Sequence, residues 1–180
     1  MYILPPGIKR DPQRRWNLRD RVFFACGACH ILAYALMERY PEAGVRAVWI
    51  KPAAGFTGNH IVALRGDDLS FDYHGWSDWP RLLSHMKAKA NRWWPGWDCR
   101  LTGLPAEVLV SEAKSLTYDG LHLREPRQFL HDGLPRARAF IDRFPPPPGA
   151  GAAADVCSLG QGTDPRRAES STTINTILFI

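Results

Sequence analysis

Cysteine is sparse in this chain, with four among 180 residues, too few for a disulfide scaffold. Only one C-x-x-C occurs, at Cys26, and no βαβ pattern surrounds it. That argues against a zinc ribbon and against a thioredoxin-like redox motif. No apolar stretch is long enough to span a membrane. Residues 1–10 hold neither an apolar h-region nor a small-residue cleavage site, so no secretory signal is read there. Long blocks of one charge sign are also missing. The net charge of +5 and pI of about 9.2 come from scattered pairs such as Arg14-Arg15, Lys87-Lys89, Arg136-Arg138 and Arg166-Arg167. Without a nucleic-acid motif beside them, these read as solvated faces. There is no internal repeat. The expectation is no nucleic-acid partner, no membrane partner and a cytoplasmic setting with reduced thiols, with export lacking a cleaved signal left open.

What is present fits one folded unit. Hydrophobic residues make up 45% of the chain, enough for a normal core. Seven tryptophans imply that several are buried or line a cleft. A domain over residues 1–145 is expected, followed by a Pro-, Gly- and Ala-rich tail over 146–180 that reads as disordered linker. Its last apolar residues, Thr176 to Ile180, either dock or fray. Residues 1–20 read as an irregular lead-in. Ala28 to Tyr40 reads as a helix, with Ile31, Leu32, Ala35 and Leu36 at helical spacing and Pro41 as its stop. Val45 to Ile50, Asn59 to Arg65 and Leu69 to Tyr73 read as strands, the last two joined as an antiparallel hairpin at Gly66-Asp67. Ser77 is the expected N-cap of a helix reaching Ala90, and Trp93 to Trp97 an aromatic turn. Leu101 to Val110 is ambiguous between strand and helix, and Pro126 to Phe144 reads as a helix interrupted or kinked near Gly133-Leu134-Pro135.

The most informative run is Cys26-Gly-Ala-Cys29-His30, which opens the first helix. A thiol at a helix start faces unpaired backbone N–H groups and the positive end of the helix dipole, both of which favour its thiolate. Gly27 lets the backbone approach a substrate carbonyl closely. His60, 31 residues further on, is the best candidate base. Asp72 lies 12 residues beyond it on the adjacent strand, and a hairpin centred on position 66 sets 60 opposite 72. On that placement Asp72 orients the imidazole, His60 acts as general base and then acid, and Cys29 is the nucleophile. Gly27, Asn59 and Trp76 are the candidate substrate-binding residues. Cys26 reads as structural. His30, next to Cys29, is expected to point away from it. His74 and Asp78 are weaker candidates near the cleft, and Cys99 and Cys157 carry no motif.

This order of parts resembles the core of papain-like cysteine enzymes in their transglutaminase-like arrangement, over about residues 24–76. Cys26-Gly-Ala-Cys29-His30 also resembles the Cys-Gly-Ser-Cys-Trp run around a papain-type nucleophile, in which the second cysteine acts. Val22-Phe23-Phe24 stands where papain-type enzymes carry a glutamine, and Ile61-Val62 replaces the aromatic that follows the transglutaminase histidine. The resemblance implies an α+β fold with a papain-like/transglutaminase-like core, its nucleophile helix packed on an antiparallel sheet. It implies thiol-dependent acyl transfer on a protein, peptide or small amide substrate, without a cofactor. Three other readings compete. Cys26, Cys29 and His30 also spell a c-type haem attachment site, with Met37 or Met86 as second axial ligand. Cys26, Cys29, His30 and Cys99 make an awkward zinc set, because 29 and 30 are adjacent. The last is a domain that keeps the fold and has lost the activity.

Overall fold

The computed structural model describes Tyr2 and residues 4–148; the expectations for the tail beyond 148, Cys157 included, lie outside the described residues. Five strands form one antiparallel sheet. They are β1 (Val45–Pro52), β2 (His60–Arg65), β3 (Leu69–Asp72), β4 (Gly75–Asp78) and β5 (Cys99–Leu104), in the order β4-β3-β2-β1-β5. In β1 and β2 the interior positions are buried on both faces, which explains their near-continuous apolar runs. Ala47, Trp49, Ile61, Ala63 and Phe71 join the cluster beneath the first long helix, α3 (Cys29–Arg39). Val48, Ile50, Val62 and Leu64 join a second cluster with Trp79, Leu82, Met86 and Ala90 of helix α4 (Trp79–Trp93). Those four recur at helical spacing, so α4 covers the far face of the sheet with one apolar stripe. The fold is therefore α+β with helices on both faces.

α3 has little polar face because it has little solvent. Cys29 to Ala33, Ala35 and Leu36 are all buried between the sheet and the terminal helix α6 (Gly133–Ile141). Two short helices precede it, α1 (Pro12–Trp16), inside the stretch 1–20 that reads from sequence as an irregular lead-in, and α2 (Asp20–Ala25), which follows that stretch. The signal for α1 is present: the Asp11 carboxylate accepts from the Arg14 N–H at 2.9 Å, and Pro12 fills the first turn. Arg136 of α6 ties this region down by donating to Asp20 and to the carbonyls of Trp16 and Leu18.

Other boundaries differ from the sequence reading for local reasons. Ser77 belongs to β4, and Asp78 caps α4 by accepting from Arg81 N–H at 2.8 Å. Leu101 to Val110 resolves into β5 followed by a single 3-10 turn, Ala106–Val108. The helix expected over Pro126 to Phe144, interrupted or kinked near Gly133, is interrupted there: a 3-10 turn, Pro126–Gln128, precedes a separate α6 that Asp132 caps. A further one-turn helix, α5, spans Glu112–Ser115.

The β3–β4 hairpin turns on Tyr73 and His74, and Gly75 sits at φ +93°. A Cβ at Gly75 would lie 2.4 Å from the Phe144 ring. Gly75→Ala is therefore expected to lose about 1–3 kcal/mol of stability through left-handed strain and overpacking. A urea midpoint equal to that of the parent chain would show that Phe144 yields freely.

Candidate active site

The three elements that carry Cys29, His60 and Asp72 meet at one end of the sheet. Cys29 is the first residue of α3, His60 the first of β2 and Asp72 the last of β3. Gly27, at φ +115°, turns the chain into the helix. Ala28 takes the cap position without a side-chain acceptor, and its carbonyl accepts from Ile31 and Leu32 N–H. The N–H groups of Cys29 and His30 thus have no intrahelical acceptor, and among the described residues no other backbone acceptor takes them.

His60 Nε2 donates to Asp72 Oδ2 at 3.1 Å, and the two side chains are 5% and 1% exposed. A carboxylate only accepts, so Nε2 carries the proton and Nδ1 is left for the thiol. The other oxygen, Asp72 Oδ1, accepts from His74 N–H at 2.7 Å and faces His74 Nδ1 at 3.1 Å. His74 therefore supports Asp72 rather than the thiol. The hairpin register is not the one expected. Ala63 pairs with Phe71 and Arg65 with Leu69, which sets Asp72 opposite Val62 and two residues off His60. The turn is centred on Asp67, one residue later than expected. The displacement is an even number, so both residues keep the same strand parity, and a diagonal neighbour is still within side-chain reach.

Burial alone pushes the Cys29 thiol up, but hydrogen bonding to His30 and His60, and then their charges, bring it down to about 5. Burial alone would lower His60, yet hydrogen bonds to Asp72 and Cys29 and the charges of both raise it to about 10. For Asp72, too, burial is opposed: hydrogen bonds from His60 and His74 hold it well below the usual carboxylate range. Both directions, the thiol down and the imidazole up, favour a thiolate–imidazolium pair backed by a carboxylate at neutral pH. Cys26 differs: burial dominates and pushes its thiol up, and it sits 3.8 Å from the Tyr2 carbonyl.

His30 does not point away from Cys29. Its ring is 1% exposed, Nε2 donates to the Arg124 carbonyl at 2.9 Å, and the side chain reaches the thiol. Successive helical side chains diverge by about 100°, not 180°, so neighbours at a helix start can flank one cleft. His30 Nδ1 has no hydrogen-bond partner among the described residues. What distinguishes the two rings is the far nitrogen, held by the Asp72 carboxylate in His60 and by a neutral backbone carbonyl in His30.

A cleft of about 880 Å³ opens over Cys29 and His60, of the size of a small-molecule or peptide site. Gly27 and Asn59 line it, and Asn59 Oδ1 accepts from Trp49 Nε1 at 2.9 Å. Trp76 does not line it; its indole N–H donates to the Pro145 carbonyl and its ring packs on Phe71. Asp78 is spent as a helix cap. Trp49 and Trp94 are the cleft tryptophans.

Sequence reasoning missed Arg15 and Arg124, which also line the cleft. Arg15 was expected on a solvated face with Arg14, yet it is 7% exposed, with Nη2 donating to the Gly27 carbonyl at 2.9 Å and its guanidinium 4.4 Å from the Phe129 ring centre. No local pattern signals this, because both partners are distant in sequence. Among the described residues no three His, Cys, Asp or Glu side chains are gathered as a metal site, so the set of Cys26, Cys29, His30 and Cys99 is not assembled. Among the same residues, no helix is long and apolar enough to cross a membrane. Compared with protein-family models, curated proteins and solved structures, the chain matches none.

Proposed function

We propose that the chain is a thiol-dependent acyl-transfer enzyme with a papain-like/transglutaminase-like core, acting on an amide through a Cys29 thioester. The observation that carries the reading is the buried His60–Asp72 pair, Nε2 to Oδ2 at 3.1 Å, on the cleft that Cys29 also lines. Because the same contacts push Cys29 down and His60 up, the reading starts from an ion pair in which His60 holds the proton and acts first as acid, not first as base.

The Cys29 sulfur attacks the amide carbonyl carbon, and the carbonyl π electrons move to oxygen. The N–H groups at the start of α3 stabilise that oxyanion. As the tetrahedral intermediate collapses, the C–N bond breaks and the His60 Nδ1 proton passes to the leaving amine, so the amine departs neutral. A thioester to Cys29 is left. Water or an amine then gives a proton to His60 Nδ1 while it attacks the same carbon, and the C–S bond breaks to restore the thiolate and the imidazolium. Asp72 stays ionised throughout and keeps Nε2 protonated. Hydrolysis, deamidation and transamidation share these steps and differ in the amine that leaves and the acceptor that enters.

The haem alternative draws no support here, since His30 Nε2 is held by a backbone carbonyl and the ring is buried. The test is alkylation by iodoacetamide at pH 6, read at each cysteine by mass spectrometry. Cys29 is expected to react well ahead of Cys26 and Cys99, whose thiols burial pushes up. Equal rates at the three would leave Cys29 a structural or inactivated thiol.

A further inference from the structure

Arg15 is an unusual cation in this molecule. Arg136, similarly placed in the interior, directs its guanidinium onto the Asp20 carboxylate and two carbonyls. Arg15 is more buried, yet its hydrogen bonding among the described residues is a single donation to the Gly27 carbonyl, and no carboxylate there pairs with it. A guanidinium offers five N–H donors in a planar fork that matches carboxylate and phosphate. Burying one without an anion is costly, and the cost is recovered when an anion arrives.

The neighbours of Arg15 sharpen this. Burial, and then the charge of Arg124, lower Arg15 to about 10, so it is still a cation at neutral pH and feels a second cation beside it. Lys9 and Arg10 stand exposed on the same cleft, and among the described residues its lining contains no Asp or Glu. The Cys29 thiolate faces Arg15 too, but its charge is already answered by His60. Lys9, Arg10, Arg15 and Arg124 therefore line one cavity with Cys29, and among the described residues none of the four is in salt-bridge contact with a carboxylate, the charge partner of Arg124 being Glu112, outside the cleft.

We propose, resting on the thiol reading of Cys29, that the acyl substrate of this cleft carries an oxyanion, a carboxylate or phosphate, which Arg15 and Arg124 bind while its carbonyl meets Cys29. Lys9 and Arg10 at the surface steer it inward. Arg15 also braces the Gly27 turn: a Cβ at Gly27 would lie 3.0 Å from its Nη2. The anion site is thereby held in register with the nucleophile.

The test uses two alkylating reagents that differ in charge. Iodoacetate and iodoacetamide both react by displacement of iodide by the thiolate, forming a thioether. The ratio of their rates at Cys29, divided by the same ratio for glutathione, is expected to favour iodoacetate by roughly tenfold at low salt. It falls toward unity in Arg124→Gln and at high salt. In parallel, the melting temperature of Cys29→Ala is followed with succinate, inorganic phosphate or succinamide at fixed ionic strength. One oxyanion raises it by several degrees, succinamide does not, and Arg124→Gln in that background removes the rise; the better of the two anions identifies the headgroup. A normalised ratio of one with no anion-dependent shift overturns the proposal, even where Cys29 alkylates rapidly and the thiol reading stands. A Cys29 inert to both reagents, with the Arg124-dependent shift intact, supports the anion site and removes the enzyme reading instead.

Discussion

Replacing His60 with alanine is expected to lower amide turnover by at least about a thousandfold, since the variant loses both the ion pair and the acid that protonates the leaving amine. Alkylation of Cys29 is a gentler but more diagnostic readout, because it needs no substrate. At pH 6 a thiol of pKa about 5 is about 90% thiolate. An unassisted thiol of pKa about 8.5 is about 0.3% thiolate, a loss of about 300-fold. The more basic thiolate is also intrinsically more nucleophilic, by roughly 40-fold over that interval. Complete loss of assistance would therefore slow the reaction by about tenfold, which is the upper limit for His60→Ala, and the clearer signature is the shift of the rate–pH midpoint from near 5 toward the ordinary thiol range. His30 lies against the same sulfur and holds part of the effect, so His30→Ala/His60→Ala shifts further than either single change. Coincident midpoints for His60→Ala and the parent chain would falsify the triad.

Stability should follow a flat-topped profile with pH, and its edges are set by the same pair. His60 is raised from 6.5 to about 10, so its contribution is full below pH 6.5 and is lost as pH climbs to 10. Cys29 is lowered from 9.0 to about 5, so its contribution is full above pH 9 and is lost as pH falls to 5. Between 6.5 and 9 the two slopes cancel, because folding only moves one proton from sulfur to imidazole. Below 6.5 the unfolded chain binds the extra proton, and stability drops by about 2 kcal/mol on the way to pH 5 at 1.36 kcal/mol per unit. Asp72, held low by His60 and His74, extends the loss into stronger acid. Above 9 the loss of the His60 proton lowers stability again, and the buried Cys26 thiol and Tyr73 phenol, both pushed up, add to that limb. Urea unfolding at half-unit intervals from pH 5 to 10 measures the profile. In Cys29→Ala the slope between 6.5 and 5 should vanish; if it persists unchanged, other groups set the acid limb.

The sheet's central strands and α3 were legible because their apolar runs have the length and residue types of buried elements. The boundaries that shifted did so where a capping carboxylate outcompeted a weaker signal. Asp78 displaced Ser77 in this way, and Asp132 starts α6 afresh where the sequence reads an interruption or a kink. The one-residue shift in the β2–β3 hairpin shows why approximate register sufficed for the site. Its displacement from the expected pairing was even, so the His60 and Asp72 parities survived, whereas an odd slip would have put them on opposite faces.

The identities and order of Cys29, His60 and Asp72, their places at a helix start and on neighbouring strands, and the α+β class were determined by the sequence alone. These depend on local periodicity, capping and strand length, which a linear chain encodes within a few residues. What surrounds Cys29 was decided only by the tertiary structure. Arg124 meets Arg15 across 109 positions of chain, His30 is anchored by a carbonyl 94 residues away, and Trp76 is drawn to Pro145 rather than to the cleft. Such contacts carry no periodicity and no spacing rule. They exist because packing α3 between the sheet and α6 brings remote loops to one rim, where Arg15 and Arg124 line the same cleft as Cys29 and His60.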